Sequence, residues 1–293
     1  MSALTADPKG ARPEGGAGHR APVRLSFRGV AWSEWLKLKT LRSTWVTLAL
    51  ATTVLVLISG IIANHLHGEL TDRRFVIFGP GGLASTPEAR GLGRDLVTTP
   101  LHGFGLTQLI IGVLGVLAIT GEYATGMVRA TFSAVPKRLP VLWAKLLIFA
   151  VLVFAVMLVA SFGAFFTSQS ILGSYGVGLG APHVLRVVIA LAGYLTMVGL
   201  LGLALGFVVR STAGAIASLV GILLVAPGIL AAIGTSWANT AQHYLPLSDG
   251  ESMISSRPPT GGDLSAGAAT VTMVLWVLAA VIAAAVLLVR RDA

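Results

Sequence analysis

The chain has 293 residues, 55% hydrophobic and only 11% charged, with a mean hydropathy of +0.83 and a formal net charge of +9. Soluble domains carry about 25% charged residues, so this chain cannot coat a water-facing surface and reads as an integral membrane protein. Long uninterrupted apolar runs exclude an alternating β-barrel and make the spans helical; with no cysteine, disulfides, thiolate zinc sites and cysteine nucleophiles are excluded as well.

Residues 1–25 are rich in Gly, Pro, Ala and Arg without apolar periodicity and read as a disordered cytoplasmic tail. No apolar core follows the early charges closely, so they are not a secretory signal. Over 26–44, Phe27, Val30, Ala31, Trp35, Leu38 and Leu41 recur at helical spacing among Arg28, Lys37, Lys39 and Arg42. That pattern fits a helix in the headgroup region, tryptophans at the interface and cations in water. Glu34 falls inside the apolar arc and spoils it; the alternative is an ordinary basic flank of the first span.

Six apolar runs follow, near 45–63, 103–120, 143–166, 185–209, 213–233 and 269–289, each about the 17–25 residues that a bilayer core demands. Only Arg210, Ser211 and Thr212 divide the fourth from the fifth, which suits a tight helical hairpin. Pro227-Gly228 should kink or break the fifth. Gly202-x-x-x-Gly206 and Ala217-x-x-x-Gly221 allow close helix approach in lipid, within the chain or at a subunit interface. Two long connectors, roughly 64–102 and 234–268, are rich in Gly, Pro and Ser; the first carries Gly79-Pro80-Gly81-Gly82.

Orientation follows from Lys and Arg. With the N-terminus cytoplasmic, the inner segments hold fifteen and the outer segments six. The outer acids Glu69, Asp72, Glu88, Asp95, Asp249, Glu251 and Asp263 leave that side near neutral. Positive charge is thus a topology signal, N-in and C-in, rather than a nucleic-acid footprint.

No Gly-x-x-x-x-Gly-Lys-Ser/Thr phosphate loop, no His-Glu-x-x-His motif and no Gly-x-Ser-x-Gly elbow occurs. The centres of the six runs hold no Asp, Glu, Lys, Arg or His, the titratable stations that proton- and ion-coupled carriers commonly need. His65-x-His67 with Glu69 has the donors for zinc or copper, although two histidines beside a span end are more often interfacial.

The connector 121–138 lies between the second and third runs. Glu122 sits at the membrane edge, Gly126 allows a turn, Arg129 and Thr131 offer donors on a short helix, and Pro136 precedes the anchoring pair Lys137-Arg138. Taken alone it also fits a solvated loop. Four stretches resemble the permease subunits of ABC type-2 (exporter-like) transporters. They are Glu34–Lys39 through Arg42-Ser43-Thr44-Trp45; Gly121-Glu122-Tyr123 with Gly126, Arg129 and Pro136-Lys137-Arg138; Gly206-Phe207 with Arg210–Gly214; and Tyr244-Leu245-Pro246. With six spans they cover nearly all of 26–293.

The resemblance implies an all-α permease domain over 26–293 in a bacterial plasma membrane, with an interfacial connecting helix over 28–42 (Trp35, Lys37, Lys39, Arg42). It also implies a coupling helix over 122–138 that docks on a separate ATPase subunit through Glu122, Tyr123, Gly126, Met127, Arg129 and Phe132. Met127 stands where such permeases often have Thr. ATP would be bound by the partner, with no cofactor in this chain; a second permease copy or a paralogue would complete the pathway. The competing classes are a channel or secondary carrier working alone and, disfavoured by the missing motifs, an intramembrane enzyme.

Overall fold

The computed structural model describes residues 26–72, 96–134, 138–256, 259 and 262–290, and in them it is helical, with no strand. The tail 1–25, the Gly79–Gly82 run, Pro136 and Lys137 lie outside the described residues. The elements are α1 (Phe27–Thr40), α2 (Arg42–Asp72), α3 (Phe104–Ala124), α4 (Met127–Ala134), α5 (Arg138–Leu172), α6 (Val184–Val209), α7 (Thr212–Val220), α8 (Ala226–Ile233), α9 (Ser236–Gln242), α10 (Pro246–Ile254) and α11 (Ala266–Arg290). Six helical stretches are long and apolar enough to cross a membrane: Arg42–Thr71, Leu96–Ala124, Arg138–Tyr175, Val184–Val209, Thr212–Ile233 and Ala266–Arg290.

The first three spans and the last overrun their apolar runs at both ends, whereas the fourth and fifth match theirs to within a residue. At 1.5 Å per residue α2 is about 46 Å long and α5 about 52 Å, against roughly 30 Å of hydrocarbon. The overhangs pack on each other. Ala63, Leu70, Leu96 and Leu172 form a small buried cluster, and the Gln169 side chain donates to the Leu96 carbonyl at 3.1 Å while accepting from Val177 N–H at 2.8 Å. Apolar run length therefore undercounts these helices, because their ends are held by side-chain contact rather than by lipid.

α3 and α6 form the centre. Within their apolar windows 61% and 72% of residues are buried, against 17% and 22% for the fifth and sixth spans. Glycine sets this pairing. A Cβ on Gly115 would sit 2.0 Å from the Gly199 carbonyl oxygen, and one on Gly202 would sit 2.2 Å from the Gly112 oxygen. A Cβ on Gly206 would meet Ile119 Cγ2 at 2.5 Å. The Gly202/Gly206 pair thus packs within the chain. Ala217 is exposed and Gly221 has nothing within 4 Å, so the other small-residue pair faces away from the bundle.

The fifth span is interrupted as its proline demands. Pro227 has no N–H to give to the carbonyl four residues back, and the helix widens into a π-turn over Gly221–Val225 between α7 and α8. The connector expected as loop over 234–268 instead carries α9 and α10. Leu245 is extended before Pro246, which opens α10, and the Trp276 indole donates to the Tyr244 carbonyl at 2.8 Å.

One end of the bundle, called proximal below, gathers α1, the start of α5 and the ends of α3, α6 and α11. There Arg138 donates to the Leu288 carbonyl at 3.1 Å. The α10 end is distal.

Gly115→Val and Gly202→Val should each force α3 and α6 apart and cost about 1–3 kcal/mol or more, read as a lower melting temperature of the purified protein. Gly221→Ala, in open space, should melt like the parent. Equal melting of all three would contradict the glycine-set crossing.

Candidate functional site: an ionic ring at the proximal end

α1 begins at Ser26, whose hydroxyl accepts from Gly29 N–H at 3.2 Å, and ends at extended Leu41. Its inward face is Val30, Glu34 and Leu38, a strict four-residue spacing. The apolar arc expected from sequence is therefore rotated: Phe27 and Leu41 are exposed, as are Trp32 and Leu36. Glu34, the apparent fault in the pattern, is the most buried polar residue of the helix, 1% exposed.

Glu34 is paid for by a ring of charges. Lys145 Nζ lies 2.5 Å from Glu34 Oε2 and 2.7 Å from Glu122 Oε1; Lys37 Nζ lies 2.7 Å from Glu34 Oε1 and 3.2 Å from the same Glu122 Oε1. Two carboxylates and two ammoniums alternate, so the ring is neutral, and it pins α1 to the end of α3 and the first turns of α5. Lys145 is 4% exposed. Burial disfavours the Glu34 carboxylate, but Lys145 and then Lys37, by charge and hydrogen bond, outweigh it and hold the carboxyl below its ordinary value of 4.5. Burial likewise opposes the Lys37 ammonium, and Glu34 and Glu122 overcome it, raising Lys37 above 10.5.

The next residue binds elsewhere. The Arg210 guanidinium lies 5.5 Å from the centroid of the Tyr123 ring. Arg210 closes α6 in the left-handed region at φ 58°, between α6 and the α7 cap, where Ser211 accepts from Gly214 N–H. Glu122 and Tyr123 thus link the last turn of α3 to α1 and α5 on one hand and to the α6–α7 hairpin on the other. Three residues after Tyr123 the chain turns at Gly126, φ 71°, a conformation that costs glycine little. α4 then follows, with Val128 buried, Met127 46% exposed, and Thr131 Oγ1 donating to the Met127 carbonyl at 3.1 Å.

The structure brings together Lys37, Glu122 and, through the same ring, the unforeseen Glu34 and Lys145. Trp35 is half-buried against the core. Lys39 is exposed, its carbonyl accepting from the Trp45 indole at 3.0 Å, and Arg42 is exposed at the start of α2. Arg129 and Phe132 lie on α4, and their side chains are outside the described part. Among its described residues, the expected coupling segment 122–138 therefore divides into the end of α3, the Gly126 turn, α4 and Arg138, the first residue of α5. Glu122, expected to face a partner, gives Oε1 to two lysines of its own chain.

The sequence signals for the missed pair were an acid in an apolar arc and a lysine two residues into an apolar run. At the distal end His65 Nε2 is 3.8 Å from Glu69 and the His67 ring meets Tyr175 edge-on at 5.6 Å. Among the described residues no three His, Cys, Asp or Glu are grouped to hold a metal. No protein-family model and no curated protein matches the chain.

Lys145→Met would leave Glu34 and Glu122 sharing the single ammonium of Lys37, one negative charge in excess, and should destabilise the protein by roughly 3–5 kcal/mol, whereas Glu34→Met with Lys145→Met leaves the Lys37–Glu122 pair and should recover most of the loss. Thermal melting of both variants measures this; a double variant no better than the single would disprove the pairing. Glu34, with its lowered value, contributes fully above 4.5 and loses its contribution as pH falls through that lowered value; Lys37 contributes fully below 10.5 and loses it above. The contribution of Glu34 and Lys37 to the melting temperature should therefore be flat between those two pH values. A ring-dependent step within that window would contradict the ion pairing.

Proposed function

We propose that the chain is the transmembrane permease subunit of an ATP-binding cassette exporter, in a bacterial plasma membrane, driven by a separate ATPase subunit that binds the ATP. A second permease copy or paralogue completes the pathway. α1 is the connecting helix, α4 the coupling helix, and the proximal end is cytoplasmic, where fifteen of the 21 Lys and Arg fall in the assumed orientation.

The observation that carries this reading is the attachment of α4. It is a short helix set off by a left-handed glycine, and its root, Glu122-Tyr123, is joined by ion pairs to α1 and α5 and by a cation–π contact to the α6–α7 hairpin. A displacement of α4 is thus delivered to several spans at once. Met127, 46% exposed at the start of α4, is the apolar contact for the ATPase.

Met127→Asp should leave membrane level and melting temperature unchanged and weaken co-purification of the ATPase by about tenfold or more, since 1.4 kcal/mol is a decade. Intact co-purification and transport would remove α4 as the docking element, and solute flux by the purified chain alone would favour a self-sufficient channel or carrier. Single cysteines in this cysteine-free chain test the orientation. An impermeant reagent on intact cells should label Asn239→Cys on α9 and spare Ser133→Cys on α4; the reverse pattern overturns the assignment.

A further inference from the structure

The distal end holds a buried carboxyl that the proposed coupling route does not use. Asp249 lies on α10, is 0% exposed, and neither carboxyl oxygen has a hydrogen-bond partner. Its surroundings are closely fitted. α10 rests on α6 through Gly250, where a Cβ would come within 2.5 Å of Tyr194 Cζ, so backbone lies directly on the phenol. The Tyr194 hydroxyl donates to Gln108 Oε1 on α3, whose amide nitrogen is buried without a partner. Phe104 stands edge-on to Tyr194 at 5.4 Å.

Among the described residues no cation is paired with this carboxyl. From α6 the facing groups are Tyr194 and Arg186, and Arg186 donates to the carbonyls of Met253 and Ser255 at the end of α10. From α10 itself there is Glu251, which is exposed and of the same sign. The distal part of α11 and the π-turn Gly221–Val225 carry no charged residue. A charge sealed from water needs a partner or must be neutralised.

We infer that Asp249 is a proton-binding site: its carboxyl is protonated while α10 is seated on Tyr194 and gives that proton to water when α10 lifts. At mildly acidic pH, seating α10 therefore takes up one proton and unseating it releases one. Burial raises the carboxyl from 3.8 to about 7. The sign follows: the seated form holds the extra proton, so seating is favoured as pH falls through 7 and weakened as pH rises through it.

Infrared spectra of the purified full chain in lipid vesicles test the site. A protonated-carboxyl C=O band should be present at about pH 6, fade at about pH 8, and be missing from Asp249→Asn, because ordinary carboxyls are ionised at both. A second measurement follows α10 itself. A cysteine replacing Met253, buried at 3% exposure, should react with maleimide about tenfold faster at about pH 8 than at about pH 6, relative to exposed Asn239→Cys, from the two carboxyl values. Adding Asp249→Asn should bring that ratio to about one. The inference is overturned if the native chain shows no protonated carboxyl at about pH 6, or if the band persists in Asp249→Asn. It is equally overturned if reactivity at Met253→Cys follows sodium or potassium instead of pH.

Discussion

A charge placed where water cannot reach it must be matched within the protein, and the two ends of this bundle meet that requirement in opposite ways. At the proximal end Glu34 is matched by Lys145, and the match is shared with Lys37 and Glu122 so that every charged group meets an opposite one. The desolvation cost of such a group is several kcal/mol, so α1 cannot leave α5 without exposing or stranding a charge. At the distal end Asp249 has no counter-ion among the described residues, and in the proposed reading a proton neutralises it. One arrangement is insensitive to pH across the neutral range; the other is set within it.

Between the ends the bundle is governed by shape. Backbone touches backbone where Gly112 and Gly115 meet Gly199 and Gly202. In lipid there is little hydrophobic reward for bringing helices together, so close van der Waals contact decides which ones pair. α3 and α6 therefore form the axis, and the ionic ring, the Tyr123–Arg210 contact and the Gln108–Tyr194 bond all hang from these two helices. Three buried hydroxyls, those of Thr120, Ser168 and Thr196, donate to carbonyls four residues back in their own helices.

Hydropathy was enough to read six spans, the α6–α7 hairpin and the break before Pro227, because each depends on a local property. Helix ends were less legible, since α2 and α5 continue beyond the apolar runs and their overhangs are stabilised by each other. The ionic ring was legible only as an anomaly. Glu34 broke an apolar arc and Lys145 looked like one more inner cation, but the two are 111 residues apart and nothing local pairs them. In the sequence Asp249 reads as one more loop acid, because α10 is nine residues long and too short to show a period. Gly112 and Gly115 form no four-residue small-residue motif like Gly202/Gly206, although a close crossing needs small residues on both helices.

The π-turn over Gly221–Val225 has a geometric effect on whatever lies alongside the fifth span. An α-helix advances about 100° per residue, and a π-turn accommodates one residue more than an α-turn. Residues of α8 therefore point about a quarter-turn away from where a continuation of α7 would have aimed them. The stripe of α7 that contains Ala217 does not run on into α8, so the span shows its surroundings two differently facing half-length surfaces. A straight neighbouring helix can follow one of them for two or three turns and must then part from it.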